Sequence, residues 1–351
     1  MKAVLGLENG EYIVGEGFGV EGFCAGELVF TTQMGGYMEA LSDPSYRGQI
    51  LMFTYPLIGN YGVDEKNFQS PQIHAKGCVV RELCAVPEAR PSVGDYFEEH
   101  GLLGISGVDT RRLTIQTRVN GTLKAALIVG ENDGEYAVEC ARNQPPISGI
   151  DLIPEVSCKA PYRITGTGKR IAVIDLGIKK NIARSLLKRG ADLYIFPHNA
   201  RADEIEAVKP EALFVTNGPG DPVLATGAIQ CVKDMLGTIP VFGICMGNQV
   251  AALAVGAETY KMKFGHRGSN QPVKDAKGRI YITTQNHGFA VDGETLPAEC
   301  DLFYTNVNDG TVEGFCSKDL GLYTVQFHPE AHAGPHDTER VIFDTFYRRI
   351  P

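Results

Sequence analysis

The sequence predicts an α/β protein in which a C-terminal doubly wound, mostly parallel sheet is preceded by a smaller α+β domain. Three observations carry this reading. From residue 170 onward, short apolar runs alternate with helical stretches at the spacing of strand–helix–strand units. Residues 143–168, NQPPISGIDLIPEVSCKAPYRITGTG, concentrate Pro and Gly without a useful helical or strand period and read as a linker. Residues 1–142 mix short β-like runs with Gly-rich turns. At 351 residues the chain is also too long for one core of ordinary size.

In residues 1–142 the β-like runs are EYIVGEGF, GELVFTT, QILMFTYP and KGCVVREL, and VDTRRLTIQTRVNG is the one helix-like stretch. After the linker, a buried strand is expected over 170–176 and a helix over 181–189 that stops at Gly190. A strand over 192–196 precedes a short helix over 202–208, which ends before Pro210. A third strand covers 212–216 and a helix 227–236. The fourth strand, 240–244, runs straight into a helix that begins near Met246. Sheets of this kind bind ligands at the carboxyl ends of their strands, so chemistry is sought just after each strand.

Composition excludes several classes. Hydrophobic residues are 43% and charged residues 21% of the chain, as in a globular protein. The net charge is −9 with no long basic run, which argues against nucleic-acid binding. No apolar run approaches the roughly 18–20 residues needed to span a bilayer, and MKAVLGLENG lacks the order of a signal peptide. Nine cysteines without C-x-x-C spacing fit reduced thiols, and the expected location is cytoplasmic.

Gly243-Ile244-Cys245-Met246-Gly247 places a cysteine between two glycines at a strand–helix junction. This G-x-C-x-G spacing is the thiol counterpart of the nucleophile elbow. A sharp turn needs neighbours without Cβ atoms, and a helix N-terminus offers unpaired N–H groups that favour a thiolate. The other eight cysteines read as structural thiols. A thiol nucleophile needs a base, and the base needs an orienting group. His328 and Glu330 supply both, two residues apart just past the apolar run 322–327. Gly218-Pro219-Gly220, after the third strand, exposes backbone N–H groups. With the N–H of Met246, one of these can hold an oxyanion, each donor being worth ~3 kcal/mol in the transition state.

In this order, the cysteine elbow, the Gly-Pro-Gly loop and the His-x-Glu end resemble the triad (class I) glutamine amidotransferases. The likeness extends along essentially the whole chain to the small subunits of carbamoyl phosphate synthetase. It rests on TTQMGGYMEALSDPSYRGQIL, FTYPLIGNYGV and GISGVDTRRLT in the first half, and on KFGHRGSNQPVKD, TTQNHGFAVD and QFHPEAHAGPHD in the second. It implies the domains 1–142 (the small-subunit N-terminal domain) and 169–351 (the amidotransferase domain). Catalysis falls to Cys245, His328 and Glu330. Ser45, Gly218, Gly220, Met246, Gln249, Asn286, Gly288 and Phe289 would contact L-glutamine. Ammonia would pass to a large subunit that binds ATP, Mg and bicarbonate, leaving no cofactor on this chain. The sequence departs from the family where Asn248 replaces histidine, Met246 replaces leucine, and His332-Ala333 replaces Ser-Pro.

Gly166-Thr167-Gly168-Lys169-Arg170 is not a phosphate loop, because Arg163 and Arg170 break the motif and the segment precedes a strand. His74, His100, His198, His266, His287 and His336 share no metal-ligand spacing, so no metal is expected. Two rival functions are a free-standing Cys-His-Glu hydrolase of γ-glutamyl or peptide substrates and a non-catalytic scaffold. The first leaves DPSY unexplained, and the second has no use for an intact triad.

Overall fold

The computed structural model describes residues 1–131, 133–331 and 334–351, so His332 and Ala333 lie outside the described residues. The chain divides into two compact units, Met1–Ile150 and Asp151–Pro351. Among the described residues no helix is long and apolar enough to cross a membrane.

The first unit is a closed barrel. Lys2–Leu7 pairs with Tyr12–Gly19, followed around the barrel by Leu103–Ser106, Gly77–Val79, Gln49–Phe53, Gly22–Thr31 and Leu123–Val129, which pairs back to Lys2–Leu7. Strand alternation fills its interior: Ala3, Leu5 and Leu7 join Leu28, Ile50, Met52, Val79, Ile105, Leu127 and Val129 in one buried cluster. Val4 points the other way, against Ile128 and Ala137 of the helix Gly134–Asn143. The expected helix forms at Thr110–Asn120, capped by the Asp109 carboxylate accepting from Arg112 N–H. Helices Val93–Glu99 and Gly134–Asn143 were not expected.

In the second unit the strands lie in the order Tyr162–Ile164, Asp192–Pro197, Arg170–Asp175, Ala212–Val215, Val241–Ile244, Leu322–Val325, Val312–Ser317, Asp301–Asn306, Thr259–Asp275 and Ile280–Val291. The central run from Asp192–Pro197 to Leu322–Val325 is parallel. Everything beyond Leu322–Val325 is antiparallel, as is the pairing of Tyr162–Ile164. Burial on both faces explains the uninterrupted apolar runs of the central strands. Ile171, Val173, Ala212 and Phe214 enter one core with Phe343 and Phe346, while Ala172, Ile174, Leu213 and Val215 enter the opposite core with Val250 and Ala251.

Two expectations are corrected. The sheet is parallel only at its centre, because residues 259–325 form hairpins whose polar, alternating strands the apolar pattern did not reveal. The stretch 143–168 is not all linker: Tyr162–Ile164 adds an edge strand, held by the Arg163 guanidinium on both carboxylate oxygens of Asp192 (2.9 and 2.8 Å).

Candidate active site

Cys245 stands alone between the strand Val241–Ile244 and the helix Met246–Ala254, with φ 55° and ψ −103°. A side-chain-bearing residue rarely adopts positive φ, and such strain collects at functional turns. Each flanking glycine is required by a different neighbour. A Cβ on Gly243 would lie 2.5 Å from the Gly247 carbonyl oxygen, and one on Gly247 would lie 2.2 Å from the Val215 oxygen. We expect Gly247→Ala to force the helix off the adjoining strand, costing about 1–3 kcal/mol as overpacking does. Denaturant unfolding would measure this, and an unchanged midpoint would show that the crossing does not need glycine.

Cys245 and His328 follow the ends of neighbouring parallel strands, with Ile244 opposite Val325 and Cys245 N–H donating to the Val325 carbonyl at 2.9 Å. Past Val325 the chain turns, and His328 N–H donates to the Thr284 carbonyl at 2.8 Å. The Cys245 Sγ lies 3.6 Å from the Asn286 carbonyl oxygen. His328 Nδ1 is 2.8 Å from Glu330 Oε1, so the ring carries a proton there and directs Nε2 away from the carboxylate. Nε2 has no hydrogen-bond partner among the described residues.

A residue that sequence reasoning missed completes the group. Lys179 Nζ lies 2.9 Å from Glu330 Oε1 and 3.3 Å from His328 Nδ1, and its side chain is 6% exposed. Its place just past the strand Arg170–Asp175 was the available signal, at the carboxyl edge where the other site residues also fall. Burial disfavours charge on Glu330, but Lys179 and His328 overcome it and hold the carboxyl at about 2. Burial and Lys179 both work against charging His328, yet Glu330 and Cys245 prevail and raise it to about 9. The group thus favours a buried imidazolium facing the sulfur.

Around this centre, a Cβ on Gly218 would lie 2.4 Å from the Leu176 oxygen, and Gly220 has φ +86°. Gln249 Nε2 donates to the Phe289 carbonyl (2.7 Å) and to Gln326 Oε1 (3.1 Å). Both amide hydrogens are used, so Gln249 Oε1 is the atom left to accept from a ligand. Asn248, where the family pattern has histidine, donates to the same Gln326 oxygen (3.1 Å) and accepts from Thr324 Oγ1 (2.8 Å). Asn248 and Gln326 therefore brace Gln249 from behind. Asn286, Gly288 and Phe289 lie on the strand Ile280–Val291, with Gly288 pressed close to the Arg267 guanidinium. Ser45 belongs to the first unit, buried in a turn where its N–H donates to Asp43 Oδ1 at 2.9 Å. His266 and His287, without shared spacing in the sequence, come together with Glu313 in a buried cluster.

Two family profiles match this chain. Residues 5–127 match the carbamoyl-phosphate synthase small chain, CPSase domain, and residues 172–348 match glutamine amidotransferase class-I. The chain is 55% identical to the carbamoyl phosphate synthase small chain of Methanosarcina mazei, with 98% of this chain and 97% of that one aligned. The Methanosarcina acetivorans protein of the same description is 56% identical at the same coverage, and that of Archaeoglobus fulgidus is 49% identical over 96% of each. The chain belongs to the family of carbamoyl phosphate synthase small chains, with a class-I glutamine amidotransferase domain as its second half.

Proposed function

We propose that this chain hydrolyses glutamine through Cys245 and delivers the ammonia to a carbamoyl phosphate synthetase large subunit. The observation that carries the proposal is the buried set of Cys245 at a strained strand–helix elbow, His328 just past the end of the adjoining strand, and Glu330 at 2.8 Å from His328. The Cys245 thiolate attacks the side-chain amide carbon of glutamine. The oxyanion is received by backbone N–H groups of the Gly218–Gly220 loop and Met246. His328 protonates the departing nitrogen, and ammonia leaves a γ-glutamyl thioester on the sulfur. His328 then takes a proton from water, which attacks the thioester carbon. Glutamate departs and the thiolate is restored.

Glu330 keeps the imidazole in one tautomer and stabilises its charged form, and Lys179 keeps Glu330 ionised. Gln249 accepts from the substrate's α-ammonium group, and Asn286, Gly288 and Phe289 line the pocket. Ser45 is assigned to glutamine by the family pattern alone. ATP, Mg and bicarbonate belong to the large subunit in this reading, and ammonia passes to it directly because in water it would be protonated before use.

The test is the rate of glutamate release by the purified chain, with and without the large subunit. A low rate that rises steeply with the partner, accompanied by carbamoyl phosphate, is expected. A high rate indifferent to the partner would instead make the chain a free-standing hydrolase.

A further inference from the structure

A second constellation lies on the hairpin beside the glutamine pocket. His266 and His287 face each other across the paired strands Thr259–Asp275 and Ile280–Val291, with rings 5.0 Å apart and nearly perpendicular. Glu313, from Val312–Ser317, completes the group, and one ligand atom from each of the three lies within 4.8 Å of the others. All three side chains are buried.

The outer nitrogens of both rings are anchored. His266 Nε2 bonds the Asp309 carboxylate at 2.8 Å, and His287 Nδ1 bonds the Phe289 carbonyl at 2.8 Å. This is the support that metal-binding histidines receive, a carboxylate or carbonyl fixing the tautomer so that the other nitrogen turns inward. Of the inward atoms, His266 Nδ1 meets only long contacts, Asn306 Nδ2 at 3.4 Å and Glu313 Oε1 at 3.5 Å. His287 Nε2 meets Gln285 Oε1 at 3.1 Å, so with the ring proton on Nδ1 two lone pairs face each other. Rotating the Gln285 amide would give His287 Nε2 a donor but turn the amide oxygen onto Thr283 Oγ1. The amide nitrogen donates to Thr283 Oγ1 at 3.3 Å, and that hydroxyl's own hydrogen goes to the Gln271 carbonyl at 2.9 Å. Glu313 Oε1 accepts from Asn306 Nδ2 at 3.1 Å, but Oε2 has no hydrogen-bond partner among the described residues although the carboxylate is fully buried.

We infer that His266 Nδ1, His287 Nε2 and the Glu313 carboxylate form a binding site for a divalent transition-metal ion, best suited to Zn²⁺. Two imidazoles and one carboxylate are a common zinc donor set, with Gln285 Oε1 or water available as fourth ligand. Bonds of about 2.0 Å in a tetrahedron bring ligand atoms to about 3.3 Å, so the cluster contracts modestly around the ion. The ion replaces the proton otherwise shared between His266 and Glu313. Because His287 lies between Asn286 and Gly288, and the Phe289 carbonyl also holds Gln249, the ion would brace one wall of the pocket. The sequence expectation of no metal is departed from here, because a site assembled from three strands leaves no local spacing to read.

The test needs no catalysis. The full chain, stripped with a chelator, is titrated with Co²⁺ as a spectroscopic stand-in, and Zn²⁺ content is measured after dialysis. One equivalent is expected, with visible d–d bands and no thiolate-to-cobalt charge-transfer band. The isosteric Glu313→Gln should weaken binding at least tenfold while circular dichroism stays unchanged. Asp309→Asn, which removes the carboxylate oxygen on His266 while leaving Oδ1 to accept from Thr311, should weaken it about 10–100-fold. Failure to bind, a thiolate band marking one of the nine cysteines as the ligand, or affinity indifferent to Glu313→Gln would each overturn the site.

Discussion

Replacing Cys245 by serine is expected to lower glutamine hydrolysis roughly 10⁴–10⁶-fold, the scale of loss when a nucleophile is removed from a unit that acts together. Serine fits the space, so the elbow survives, but its oxygen holds its proton far more tightly than sulfur does. The Cys245–His328 pair then loses the sulfur that helps raise the imidazole. Glutamine should still bind, because the Gln249 amide is locked by Phe289 and Gln326 and not by the thiol. In complex with the large subunit, synthesis from added ammonium salt should continue at the parent rate. Glutamate release above about 1% of the parent rate would remove Cys245 from its role.

Glu330→Gln should damage both rate and stability. The carboxylate lies between two cationic partners, Lys179 at 2.9 Å and His328 at 2.8 Å, and is fully buried. An amide of the same shape leaves the Lys179 ammonium buried without its counter-charge, and breaking a buried pair in this way costs about 3–5 kcal/mol. Turnover should fall about 10⁴-fold, as when the orienting acid of a triad is neutralised. Urea unfolding and steady-state rates separate the two losses.

The pH dependence has a definite sign. His328 is raised to about 9, so its stabilising charge is fully present below 6.5 and is lost as pH climbs through about 9. Glu330 is depressed to about 2, so its contribution is present above 4.5 and is lost as pH falls towards 2. Both contributions are complete between about pH 4.5 and 6.5. The kcat/KM of the parent protein should fall above about pH 9, where the imidazolium that protonates the departing nitrogen disappears. In Glu330→Gln that fall should come at lower pH, because the carboxylate favouring the charged ring is gone. A limb that does not move would detach Glu330 from His328 titration.

Legibility in the sequence followed the range of the interactions. The strands Arg170–Asp175, Asp192–Pro197, Ala212–Val215 and Val241–Ile244 were readable because each is a continuous apolar run buried on both faces. The barrel was not, since its closure joins Lys2–Leu7 to Leu123–Val129 across most of the unit, and no local period records such a pairing. Cys245, His328 and Glu330 stood out as candidates through glycine spacing and position after strands, and the fold sets His328 2.8 Å from Glu330. Lys179 and Gln326 did not, because their meaning lies in partners far away in sequence: Lys179 reaches Glu330, and Gln326 reaches Asn248 and Gln249. The hairpin residues 259–291 were recognised by resemblance but not as strands, since polar site residues interrupt their alternation.

The in-register pairing of Val241–Ile244 with Leu322–Val325 sets the alignment of the points at which Cys245 and the turn to His328 leave the sheet. Neighbouring strands are spaced by about 4.8 Å and advance in whole residues, so this alignment has no soft coordinate along which to drift. Mild damage to surface loops should leave the fraction of competent molecules unchanged, and warming should switch molecules off one at a time instead of slowing all of them. Active-site titration during heat inactivation would then report the count of folded second units, with each survivor turning over at full speed.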